Sequence, residues 1–220
     1  MLLLAQLRRR APGLADPDPD EHVPAAAAPG TRPARAPLPG EFHLFSVSSA
    51  LSTLGLMTFG VISYAFVEAG LVSLALVPVV YAMAMAVEAV AALATGSAFD
   101  RWGGKVLLVV PLVVVAVPLT VFSSSLGVVL AGVVLWGLAT GVQDSTVKAY
   151  VADLVPAARR ATAYGVFAAV QGVGALAGGA LAGALVADHL GVLAAVVAGA
   201  QVVAFTLLLV TVRRSRACAH

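Results

Sequence analysis

Apolar positions along this chain fall into long unbroken runs, without the stripes of surface helices or the alternation of half-buried strands. Six runs, at 44–68, 71–96, 105–124, 126–147, 160–186 and 190–212, are long enough to cross a bilayer. A helix rising 1.5 Å per residue needs about 20 apolar residues to span ~30 Å of hydrocarbon. Stretches such as "VLLVVPLVVVAVPLTVF" (106–122) are apolar all round. A membrane barrel would instead alternate apolar and polar positions over about ten residues. The pattern predicts an all-α membrane protein with six transmembrane helices.

Composition agrees with the pattern. Of the 220 residues, 60% are hydrophobic and only 11% charged, against roughly a quarter charged in ordinary soluble domains. Mean hydropathy is +0.99. Charge then orients the helices. All 13 Lys and Arg fall before the first run, in or at the border of alternate connections, or after the last: Arg8, Arg9, Arg10, Arg32, Arg35, Arg101, Lys105, Lys148, Arg159, Arg160, Arg213, Arg214 and Arg216. The positive-inside bias then puts both termini in the cytoplasm of a multi-pass cell-membrane protein. The net charge of +2 is absorbed by this topology, and no nucleic-acid partner is read from it. Cys218, the single cysteine, falls in the expected cytoplasmic tail, so no internal disulfide is possible.

Two segments precede the first run. "MLLLAQLRRR" has its arginines after a short apolar piece, the reverse of a secretory signal, and reads as the end of a preceding transmembrane helix with its basic flank (1–11). Residues 12–40 hold eight of the twelve prolines and bury too little apolar surface to fold, which predicts a disordered cytoplasmic linker. The six-helix domain then occupies 41–213 and a cytoplasmic tail 214–220.

Between the second and third runs stands "GSAFDRWGGK" (96–105), the most polar of the short connections. Gly96 and Gly103 permit a tight turn and close backbone approach. Asp100 can face the positive end of a neighbouring helix, and Arg101 and Lys105 can pair with carboxylates or headgroups. Such a loop can latch two groups of helices. Gly96, Asp100, Arg101, Gly103 and Lys105 resemble the loop signature of the major facilitator superfamily of secondary transporters. Residues 137–185 also look like the tenth and eleventh helices of that family. The resemblance covers 42–212 and implies that the six helices are the C-terminal half of the family's fold. It makes 12–40 the central linker and residues 1–7 the tail of the sixth helix. It further implies secondary active transport of a small solute by alternating access, proton-coupled and in the direction of efflux. The partner would be a missing N-terminal half or a second six-helix unit in the same lipid bilayer. The competing reading is a non-transporting membrane subunit or an inactive fragment.

Charged and polar residues within the runs supply the candidate sites, because a charge at the bilayer centre costs about 2.5–3.5 kcal/mol on insertion scales. Glu88 lies twelve residues before Asp100, ~18 Å along a helix and hence near the midplane where transporter sites lie. With Tyr81 it forms a stripe that either couples protons and binds a cationic group or makes an interhelical hydrogen bond. Gln171 can bind substrate or another helix. Trp136 can line a cavity or fill space. Asp144 and Lys148, four residues apart, share a helix face, as a gate that opens and closes or as a static pair. Gly174 with Gly178 and Gly179 with Gly183 are small-xxx-small ridges for close helix packing. Trp102, Tyr150 and Tyr164 are expected at the membrane interface. His22, His43, His189 and His220 show no ligand spacing, and no phosphate loop or nucleophile constellation is present. The sequence therefore predicts no metal site, no cofactor and no enzyme activity.

Overall fold

The structure, a computed structural model, describes residues 37–217, with the side chains from 216 onward excepted. The predicted helix end at 1–11 and the predicted linker up to residue 36 lie outside the described residues, as does Cys218. All regular structure among the described residues is helical. We number the helices α1 (Gly40–Leu56), α2 (Phe59–Glu68), α3 (Val77–Trp102), α4 (Val109–Val121), α5 (Leu126–Leu154), α6 (Arg160–Leu185) and α7 (Leu190–Ala217).

Five continuous helical segments are long and apolar enough to cross a membrane: Gly40–Glu68, Leu74–Val121, Leu126–Leu154, Ala157–Leu185 and Leu190–Ser215. Large apolar side chains stand outward along them, among them Leu93, Val173 and Leu176, each at least two-thirds exposed. That outer surface suits lipid and not water. The chain is a multi-pass membrane protein.

The difference from six predicted runs lies in Leu74–Val121. This segment holds two of them and would measure roughly 70 Å if straight, more than twice the hydrocarbon thickness. It is not straight. Ala84 and Glu88 of α3 face Gly137 and Gly141 of α5, and Thr95 Oγ1 lies 3.0 Å from Ser145 Oγ, so α3 and α5 run parallel. Gly104 faces Tyr150, while Thr120 and Val121 face Gly132, so α4 runs against α5. The chain reverses at Gly103, whose φ of 60° is reached cheaply only without a Cβ. Next to it, a Cβ on Gly104 would stand 2.6 Å from the Tyr150 ring. The two glycines divide the turn between them, one for its backbone angle and one for its space.

This corrects the expected loop. Residues 96–102 are the last two turns of α3, with Asp100 and Arg101 inside the helix, because nothing in "GSAFDRW" stops a helix before Gly103. A Cβ on Gly96 would meet nothing within 4 Å, so this glycine marks no close approach among the described residues. Gly103→Ala, which adds no clash, is expected to cost about 1–2 kcal/mol through φ alone. Thermal unfolding in detergent against the parent chain checks this, and an unchanged midpoint would refute it.

The first predicted run is also interrupted. Met57 has φ 55° and ψ −179°, a region left almost wholly to glycine, and it parts α1 from α2. The break leaves the Leu56 carbonyl outside the helical ladder, and Trp136 Nε1 donates to it at 2.9 Å. Hydrogen-bonding the freed carbonyl from a neighbouring helix is what makes a broken helix tolerable in hydrocarbon.

Helices α6 and α7 pack on α1. Its run "SVSSALST" carries small hydroxyl side chains that spend their protons on backbone carbonyls: Ser46 on Phe42, Thr53 on Ser49, and Ser48 across to Ala204 of α7. Gln201 of α7 donates to the Leu51 carbonyl at 2.9 Å. On the opposite flank a Cβ on Gly174 or Gly178 would fall on the Ala50 or Leu54 carbonyl, so α1 and α6 touch backbone to backbone. A Cβ on Gly179 or Gly183 would meet nothing within 4 Å, so the second predicted ridge marks no close helix approach among the described residues. Tyr150 is 4% exposed and packs edge-on to Phe45, a core position and not the expected interfacial one. Trp102 does stand out, at 61% exposed.

Candidate functional site

Helices α5 and α6 are tied directly by the Tyr164 hydroxyl, which donates to the Lys148 carbonyl at 3.0 Å. Above that tie lie two adjoining cavities. One, about 490 Å³, is lined by Asp144, Val147, Lys148, Tyr164, Phe167, Ala168 and Gln171. The other, about 340 Å³, reaches from the α1 break to the same helices and includes Thr53, Met57, Trp136, Thr140, Gln143, Asp144 and Gln171. Asp144, Ala168 and Gln171 line both.

Their common wall is built on Thr53. Its hydroxyl donates to the Ser49 carbonyl at 3.0 Å, a bond available because Thr can reach back one turn of its own helix. Having spent its proton, Thr53 Oγ1 can only accept. It accepts Gln143 Nε2 at 2.7 Å and Gln171 Nε2 at 3.3 Å. Gln171 Nε2 also reaches Ser49 Oγ at 3.2 Å. Three helices thus meet through one hydroxyl. Gln143 is 5% exposed, and its Oε1 is buried with no hydrogen-bond partner.

Gln171 and Trp136, both expected at the site, line the 340 Å³ cavity together. Glu88 and Tyr81 line neither cavity. Glu88 sits near the middle of α3 with its backbone against Gly141, one turn before Asp144 on α5. Tyr81 packs on Phe59 of α2 with ring centroids 4.8 Å apart, and Phe59 in turn lies 5.7 Å from the Trp136 ring. Asp144 and Lys148 share a cavity, but no closed ion pair joins them among the described residues. Asp100, Arg101 and Lys105 are exposed, with no hydrogen bond or ion pair among the described residues.

The sequence reading gave no role to Thr53 and Ser49. The signal was present as a run of hydroxyl residues within an apolar span, where each hydroxyl needs an acceptor. It also passed over Gly137 and Gly141, the ridge on which α3 and α5 meet.

Residues 44–218 match the family described as Major Facilitator Superfamily. Over 208 residues the chain is 40% identical to proteins described as uncharacterized from Mycobacterium bovis and from two strains of Mycobacterium tuberculosis. Each alignment covers 94% of this chain and 50% of the relative. The chain spans about half the length of the curated relatives it matches.

Proposed function

From the premise that the chain belongs to the major facilitator superfamily, shown by the match over residues 44–218, we propose that it forms the C-terminal six-helix half of a secondary active transporter. Membrane transport is the business of the family. The finer reading is that a small solute crosses by alternating access, coupled to protons and in the direction of efflux. It rests on the pair of cavities that open beside the buried polar junction of α1, α5 and α6.

Six spans are supported by the helix directions. The contacts that make α3 parallel and α4 antiparallel to α5 require a reversal at Gly103, and α1 runs parallel to α6 and against α7. Counting α1 with α2 as one pass, direction alternates along the whole domain. The same alternation gathers Arg101, Lys105, Lys148, Arg159 and Arg160 at one end of the bundle, which we assign to the cytoplasm together with both termini. The proposed partner is a further six-helix unit, in keeping with relatives about twice as long. Asp100 and Arg101, without a hydrogen bond or ion pair among the described residues, then latch that unit from the last turns of α3, aided by the Gly103 turn and Lys105. Glu88 is the proposed coupling carboxylate, acting through Asp144.

Reconstitution tests this reading. Proteoliposomes with an imposed proton gradient and a fluorescent amphipathic cation would compare this chain, the chain joined to six upstream helices of a family member, and the joined form carrying Glu88→Gln. Gradient-driven dye movement by the joined form, abolished by Glu88→Gln, is the expected result. An active joined form indifferent to Glu88→Gln would remove Glu88 from the mechanism, and an inert one would favour the non-transporting subunit.

A further inference from the structure

Around the two cavities most hydroxyl and indole protons are spent on backbone carbonyls. Thr53 donates to the Ser49 carbonyl and Thr140 to the Trp136 carbonyl at 2.8 Å. Trp136 donates to the Leu56 carbonyl, and Tyr164 to the Lys148 carbonyl. Gln171 Nε2 is held by two hydroxyl oxygens and Gln143 Nε2 by one of them. Thr53, its proton on the Ser49 carbonyl, receives both amides as an acceptor, which turns their NH₂ groups toward α1. What the wall offers inward is therefore its acceptors. Gln171 Oε1 has no hydrogen bond among the described residues, and its side chain lines both cavities. Beside it stand the Asp144 carboxylate and the lone pairs of Thr140 and Tyr164. Gln143 adds a buried carbonyl oxygen without a partner. Lys148, on the cytoplasmic side, is the sole cation lining either cavity.

We propose that this wall selects amphipathic solutes carrying a protonated amine, whose N–H groups are read by Gln171 Oε1 and whose charge is met by Asp144. The apolar body lies against Val147 and Phe167 in the larger cavity. Acceptors that are fixed and unpaired favour a solute that brings donors and reject one that brings only lone pairs, since a buried polar group left unpaired is costly. A quaternary ammonium has the charge and lacks the proton, so it separates the two contributions. The proposal rests on the transport reading above, but it is scored on binding by this chain alone, so either can fail without the other.

The test uses the full chain with Trp102→Phe in phosphatidylcholine nanodiscs, leaving Trp136 as the single tryptophan. Trp136 fluorescence is titrated at neutral pH with 4-phenylbutylamine, its N,N,N-trimethyl analogue and 4-phenylbutyrate. The amine is expected to bind saturably and about tenfold or more tighter than the quaternary analogue, with no saturable response to the carboxylate. Gln171→Met should lower amine affinity to that of the quaternary analogue and leave the latter unchanged, which a merely unfolded variant would not do. Asp144→Asn, at an exposed position, should weaken both cations by a similar factor. Equal binding of amine and quaternary analogue would overturn the proposal, as would preference for the carboxylate, absence of any saturable response, or a Gln171→Met chain that keeps its amine preference.

Discussion

Gly178→Val is expected to break the packing of α1 on α6 and to lower the stability of the chain by about 3 kcal/mol or more. The new Cβ would fall on the Leu54 carbonyl oxygen, with the Leu54 Cα and carbonyl carbon 2.9 Å away. These are backbone atoms, so no rotamer change relieves the clash and the helices must move apart. Overpacking a core that can adjust its side chains costs typically 1–3 kcal/mol; a backbone-to-backbone contact has less room to adjust. Separation would also pull Gln171 away from Ser49 and Thr53, whose hydrogen bonds already measure 3.2 and 3.3 Å. Gly179→Val is the matched control, because a Cβ on Gly179 would meet nothing within 4 Å, and its effect on this chain should stay within about 0.5 kcal/mol. Thermal unfolding of both variants in one detergent, followed by circular dichroism, reads the difference. Coincident midpoints would show that the α1–α6 contact contributes little.

That pair of glycines also marks where sequence reading stops. Small-xxx-small spacing identifies a helix able to approach another closely, and both ridges satisfied it. Which ridge meets a partner depends on the rotation of α6 about its axis, set by Ala163, Phe167 and Ala182 on its buried side, and spacing alone does not fix that angle. Similarly, hydropathy located the apolar segments but placed the end of the second run six residues before the helix end at Trp102. Gly96 looked like a stop, yet a helix ends where a residue adopts a non-helical φ, and that residue is Gly103. The break at Met57 had no local signal, since Met is a good helix former and the deviation is held by tertiary contacts, Trp136 on the Leu56 carbonyl among them. At the site, Trp136, Gln171 and Asp144 were legible because polar or indole groups inside spans need partners. Thr53 was not, because a Thr in a helix can bond its own backbone, and only the folded bundle shows two amides converging on it.

Thr53→Val should therefore do more than an isosteric change at a half-buried position normally does. It removes the acceptor for Gln143 and Gln171 and replaces it with a methyl group. The Ser49 carbonyl loses only an extra bond. Gln143, 5% exposed, is left with both ends of its amide unpaired, since its Oε1 already has no partner. An unsatisfied buried donor costs about 1–3 kcal/mol in mutational data, while interhelical hydrogen bonds in membranes average nearer 0.6 kcal/mol. About 2 kcal/mol for the pair is the expected loss, read as a lower unfolding midpoint in detergent. Thr53→Ser retains the hydroxyl and should recover most of it. The second consequence is chemical. Without Thr53 the Gln171 amide is held only by Ser49 and is freer to present its NH₂ to the cavity, so the preference for a protonated amine over its quaternary analogue should shrink. Loss of stability with the preference intact would make Thr53 a packing residue alone. Loss of both, with both restored by Thr53→Ser, ties the junction of α1, α5 and α6 to what the cavity recognises.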